Sequence, residues 1–200
     1  MARRTYNTIK LIAVCLAIYC SAFALSARDY SLILSGGYTG SYHNADDKTN
    51  GAIAELAFQM PVCNQIYFSP AAAFDMRYMQ MGQWLGEFSL RAIGGYTFPV
   101  SKAAFNFFTG PRMDVKAFEY TSEVWYGDLP GYDSSDPYYN RVNAYWMFGI
   151  GFEFRDIVLK GSYSLPLTRY VKPFKYPSDE YHKRLHIFEV TLGYRFSLGK

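Results

Sequence analysis

Apolar side chains fall at every second position in one stretch after another of this 200-residue chain. In the last stretch, HIFEVTLGYRFSLGK, Phe188, Val190, Leu192, Tyr194, Phe196 and Leu198 alternate with Glu189, Thr191, Gly193, Arg195 and Ser197. A period of two marks a strand with two unlike faces. Seven earlier stretches repeat it. Tyr30, Leu32, Leu34, Gly36 and Tyr38 oppose Ser31, Ser35 and Thr39, and Ala52 to Met60 carry an apolar face against Glu55 and Gln59. Ile66 to Tyr78 oppose Ser69, Asp75 and Arg77, and Phe88 to Phe98 oppose Glu87, Ser89, Arg91 and Thr97. Phe105, Phe107, Met113 and Val115 oppose Asn106, Arg112, Asp114 and Lys116. Val142 to Phe154 oppose Asn143, Glu153 and Arg155, and Ile157 to Leu167 oppose Lys160, Ser162, Ser164 and Thr168.

Eight such segments, each long enough for the ~9–11 residues of a tilted membrane-crossing strand, predict an all-β, eight-stranded antiparallel transmembrane barrel. The connections alternate in length. Residues 61–65, 99–102 and 155–156 make tight links, whereas 40–50, 79–86, 119–140 and 169–184 are longer. Short turns at one end and longer loops at the other are the barrel pattern, with both termini at the short-turn end. The periodicity leaves one rival open, a soluble barrel with the same faces reversed. Pro70, Pro111 and Pro166 lie inside the expected strands, where each removes a ladder donor and calls for a bulge or a strand end.

The N-terminus favours the membrane version. Arg3, Arg4 and Lys10 precede an apolar run from Leu11 to Tyr19, followed by small residues at Ala22-Phe23-Ala24 and Leu25-Ser26-Ala27. This reads as a secretory signal peptide over residues 1–27, cleaved after Ala24 or Ala27, ahead of a barrel domain over 28–200. Cleavage after Ala27 lowers Lys plus Arg from 20 to 17, equal to the 17 Asp plus Glu. A neutral mature chain gives no compositional support for nucleic-acid binding. Cys63 is the only cysteine left, so no intramolecular disulfide staples the mature domain. The 19 Tyr and 16 Phe suit a chain whose surface meets both hydrocarbon and water.

With the apolar face turned to lipid, the polar face points into a narrow interior. Glu55, Asp75, Arg77, Glu87, Arg91, Arg112, Asp114, Lys116, Glu153, Arg155, Lys160, Glu189 and Arg195 are expected there. Burial at this cost requires pairing. The expected outcome is an ion-paired plug, and a narrow charged pore is the alternative. No catalytic, cofactor or metal site is expected. His43, His182 and His186 lack a neighbouring nucleophile or third ligand in the sequence. The stretch EYTSEVWYGDLPGYDSSDPYYN has the rigid aromatics and small polar residues of a binding loop, with Trp125, Tyr126, Asp128, Tyr132, Asp133, Asp136, Tyr138 and Tyr139 as candidates. Arg169, Lys172, Lys175, Lys183 and Arg184 make the next long connection basic, suited to anionic lipopolysaccharide or to anchoring at the interface.

These features together resemble the small outer-membrane β-barrel family of OmpX-like architecture, and more broadly the porin-family or PorT-like outer-membrane barrels. The resemblance covers residues 28–200. Its terminal strand is similar to the family's assembly signal through Tyr194 and Phe196, and departs from it in the tail Ser197-Leu198-Gly199-Lys200. It implies a non-enzymatic barrel in the bacterial outer membrane without cofactors, inserted by barrel-assembly machinery through its last strand. Expected partners are outer-membrane lipid, lipopolysaccharide and an envelope protein, with an accessory role in secretion or envelope assembly. The alternatives are a channel for small solutes and a lipid-modifying enzyme at the membrane rim.

Overall fold

The computed structural model describes residues 30–42, 48–63, 65–79, 83–121, 141–168 and 184–198. Residues 1–27, the expected signal peptide, lie outside them. Eight strands follow in chain order: β1 (Ser31–Tyr42), β2 (Lys48–Cys63), β3 (Ile66–Met79), β4 (Gln83–Val100), β5 (Ala103–Thr121), β6 (Val142–Phe154), β7 (Ile157–Pro166) and β8 (His186–Ser197). Each pairs antiparallel with its sequence neighbours, and β1 pairs with β8 from Ser31↔Ser197 to Tyr42↔His186, closing the barrel. The seam is tight. A Cβ added at Gly37 would fall 2.0 Å from the Val190 carbonyl oxygen, so only glycine fits between β1 and β8 there.

The strands run longer than the alternation alone suggests. β1–β2 pairs to Tyr42↔Lys48 and β3–β4 to Met79↔Gln83, which shortens the expected loops 40–50 and 79–86 to residues 43–47 and 80–82. The three links at the other end remain shorter still, at 64–65, 101–102 and 155–156.

Two prolines sit where one neighbouring ladder is interrupted. The β2–β3 register passes from Ala57↔Ala71 to Met60↔Phe68 without Pro70, which pairs with Ala92 on its other side. The β4–β5 register passes from Arg91↔Arg112 to Gly94↔Thr109 without Pro111, which pairs with Trp146 of β6. Pro166 is the last residue of β7. A proline costs a sheet little where no donor is demanded of it. In β5 the register skips Ala117 between Glu87↔Lys116 and Gly86↔Phe118. That bulge reverses the parity, so Phe118 and Tyr120 continue the outward face that Met113 began.

Candidate functional site

The two faces of the sheet are inverted relative to a soluble barrel. Phe107, Ile150 and Leu192 are at least 60% exposed, whereas Asp75, Arg77 and Glu87 are 0% exposed. A sheet that hides its charges and presents a continuous apolar exterior has hydrocarbon as its solvent, and closure leaves no unpaired edge inside it. Aromatic residues with polar tips bracket the belt. At the short-turn end the Tyr96 hydroxyl donates to Gln65, and Tyr194 lies 3.4 Å from Asp156. At the long-connection end Tyr38 donates to Asn50.

The interior is filled from all eight strands. Arg112 of β5 is the most connected group. Its Nε lies 2.7 Å from Asp114, Nη1 2.5 Å from Glu189, and Nη2 3.0 Å from Asp75 and 3.1 Å from Ser89. Four of its five N–H groups are thereby directed at oxygen, and its guanidinium carbon sits 5.6 Å from the centre of the Tyr145 ring. Asp75 also accepts from Arg77 Nε at 3.0 Å, and Arg77 pairs with Glu87. Glu189 is shared, its Oε1 lying 2.9 Å from Arg91 Nη2, while Arg91 Nη1 meets Glu55 at 2.7 Å. Glu55 also pairs with Lys160, and Ser35 of β1 lies 3.4 Å from it. One chain of charge therefore runs Glu87–Arg77–Asp75–Arg112–Glu189–Arg91–Glu55–Lys160 through the barrel.

A second, smaller group lies toward the short turns. Arg195 pairs with Glu153 and reaches Gln59 at 3.2 Å, and Asn106 Nδ2 donates to Glu153 at 2.6 Å. Around and above it are apolar residues outside the set of charges expected in the lumen. Ile33, Ala57, Ala71 and Val158 form one buried cluster, and Tyr67, Ile93, Phe108 and Met147 another. Their sequence signal was parity, because each stands on the inward side of its strand. Between Lys160, Glu153, Asn106, Gln59, Tyr67 and Ser69 a cavity of about 20 Å³ remains, room for about one water molecule.

Arg155 corrects the expected interior list. The alternation that places Glu153 inside continues to Arg155, but the chain reverses there. Arg155 is exposed in the β6–β7 link with φ 55°, its guanidinium carbon 5.5 Å from the Phe154 ring centre. Lys116 is half-buried on β5 opposite Glu87. With Arg155 outside, six acidic and six basic residues face the lumen rather than six and seven. Asp75, Glu87 and Asp114 bring carboxylate oxygens within 4.8 Å of one another, a spacing suited to a metal ion. Arg77 and Arg112 are already paired with those carboxylates and supply the positive charge that a cation would.

His186 faces outward on β8, its Nδ1 2.7 Å from the Tyr163 hydroxyl. His43 and His182 lie outside the described residues. So do the candidate binding-loop residues Trp125, Tyr126, Asp128, Tyr132, Asp133, Asp136, Tyr138 and Tyr139, and the basic residues Arg169, Lys172, Lys175 and Lys183.

No family model and no curated protein matches the chain. Among solved structures it is similar to Neisserial surface protein A, NspA, at 12% identity with a TM-score of 0.56, over 86% of this chain and 98% of that one. It also aligns with Ail, the attachment invasion locus protein of Yersinia pestis, solved in complex with the heparin analogue sucrose octasulfate. That match has 15% identity and a TM-score of 0.44, over 84% of this chain and 99% of that one. The fold is the eight-stranded outer-membrane barrel. As in any such barrel, the eight strands leave an interior only wide enough for side chains to fill. Here an ion-paired network shares that filling with uncharged polar and apolar side chains.

Proposed function

We propose that this protein is a closed, non-enzymatic barrel of the bacterial outer membrane that conducts no solute and acts through its external connections. The continuous ion-paired chain from Glu87 to Lys160 carries this reading. A pore lined by charges needs water between them, whereas here guanidinium and carboxylate groups meet directly at 2.5–3.0 Å. The partner of such a barrel is an envelope protein or surface polymer met by the long connections, as an accessory to secretion or envelope assembly would require. Its insertion depends on assembly machinery that reads the last strand with Tyr194 and Phe196.

Single-channel recording in a planar bilayer tests the reading, with a heat-modifiable gel shift as the control for folding. Folded protein that gives no conductance steps is the expected result. Discrete, reproducible steps from the same preparation would overturn the closed barrel in favour of a small-solute channel.

A further inference from the structure

Two cations stand side by side at the short-turn end. Lys102 is the last residue of the β4–β5 link, and Arg155 is the first of the β6–β7 link. Each link has only two residues, which fixes where it places its cation. Ala103 pairs in register with Phe154. The residues just beyond that pair, Lys102 and Arg155, therefore end adjacent strands with backbones about 5 Å apart. Both side chains are exposed, and neither forms an ion pair among the described residues. The adjoining carboxylate, that of Asp156, is directed away from Lys102, its Oδ2 lying 3.4 Å from the Tyr194 hydroxyl of β8. Glu153 points into the lumen, where it meets Arg195. Asp29, the one acidic residue in 1–29, precedes β1, which lies three strands round the barrel from β6.

Toward the membrane centre from these cations the outward face is apolar. Val100, Ala103 and Phe154 share one row across β4, β5 and β6. Val100 and Phe154 are exposed, and the Ala103 methyl leaves a shallow gap between them. One row further in, Phe105 and Phe152 pair in register with ring centres 5.3 Å apart. The Arg155 guanidinium carbon lies 5.5 Å from the Phe154 ring centre, which holds that charge against the outer wall. On both strands hydrocarbon gives way to positive charge within one residue.

We propose that Lys102 and Arg155 bind the anionic phosphate headgroup of a phospholipid in the leaflet at the short-turn end, the periplasmic leaflet of such a barrel. The glycerol esters sit over Ala103, and the acyl chains run along Phe105 and Phe152. Two adjacent cations match a headgroup with a phosphate and no ammonium of its own, whereas a zwitterionic headgroup brings a like charge against them. Free phosphate shares that chemistry, but the apolar wall directly behind the cations fits a lipid. The site needs the transmembrane placement of the barrel and is independent of whether the lumen conducts.

Native mass spectrometry of the full-length folded protein tests this, with phosphatidylglycerol and phosphatidylcholine offered at equal concentration. The wild type is expected to retain phosphatidylglycerol preferentially. Lys102→Gln with Arg155→Asn should weaken that retention roughly thirtyfold, and each substitution alone about fivefold, as the loss of cations beside a headgroup implies. Asparagine tolerates the left-handed backbone that Arg155 holds. Lys102→Arg with Arg155→Lys should preserve retention, as should Lys48→Gln at the opposite end. The heat-modifiable shift confirms that each variant is folded. Equal retention of the two lipids, or equal loss in the Lys48→Gln control, would overturn the site. Displacement of the lipid by millimolar inorganic phosphate would reduce it to a free-anion site and overturn the lipid assignment. Conductance steps from the wild type would sink the closed-barrel reading and leave this result standing.

Discussion

The two ends of the lumen are closed by different physics. Toward the long connections, Asp75, Arg77, Glu87, Arg112 and Asp114 are almost completely buried and paired with one another. Toward the short turns, the work falls to two apolar clusters and a single ion pair, Arg195–Glu153, whose arginine side chain keeps 20% of its exposure. Strand parity is the same in both halves, so alternation alone does not dictate how a barrel is filled. Charge filling buys specificity, since each group tolerates only its own partners. Apolar filling depends on volume and tolerates conservative change.

Breaking the charged half should have the largest effect. Arg112→Met leaves Asp75, Asp114 and Glu189 without the guanidinium that joins them. Urea unfolding of the folded barrel in detergent should show a loss of about 3–5 kcal/mol, the cost of stranding a buried charge. A loss below about 1 kcal/mol would mean that the network is hydrated and the lumen is not closed. In the apolar half, Phe108→Ala opens space beside Tyr67, Ile93 and Met147. It should cost about 3 kcal/mol by the same measurement. It enlarges the existing cavity without removing any charge, so conductance should stay absent. Arg195→Met is the matched test of the pair whose arginine keeps some contact with water. Water already reaches Arg195, so the expected loss is about 1 kcal/mol. If Arg112→Met and Arg195→Met cost the same, the contrast between the two ends fails.

Much of this was legible in the sequence, for a definite reason. A strand between lipid and lumen must alternate, so the outward phase of β1, β6 and β8 could be read directly from Tyr30–Tyr38, Val142–Phe154 and Phe188–Leu198. The partners of the charges could not be read. Arg112, Glu189 and Arg91 lie on three different strands, and which of them meet depends on barrel stagger, which no single strand encodes. The bulge at Ala117 was equally hidden, because one skipped residue leaves no mark in composition. Inward Ile33, Phe108 and Met147 stand at lumen parity, where only their parity and no polar group marks them as filling. Arg155 misled for the opposite reason. Its parity fitted the lumen although its position lay in the turn.

That last residue gives the smallest predicted effect, one whose sign turns on backbone strain. Arg155 holds φ 55°, in the left-handed region where a side chain costs about 1–2 kcal/mol and glycine almost nothing. Arg155→Gly relieves that strain. Against it stand the greater freedom of glycine in the unfolded chain, about 0.4–1 kcal/mol, and the exposed contact with Phe154, about 0.5 kcal/mol. The balance runs from about 0.5 kcal/mol destabilising to about 1 kcal/mol stabilising, the stabilising end belonging to strain at the upper end of its range. Arg112 behaves otherwise, because its removal strands fully buried carboxylates and costs several kcal/mol. Urea titrations of Arg155→Gly beside Arg112→Met therefore ask of two arginines with lumen parity which one the closed network needs. A loss of about 3 kcal/mol at Arg155 would return it to the interior and undo the balance of six acidic and six basic groups.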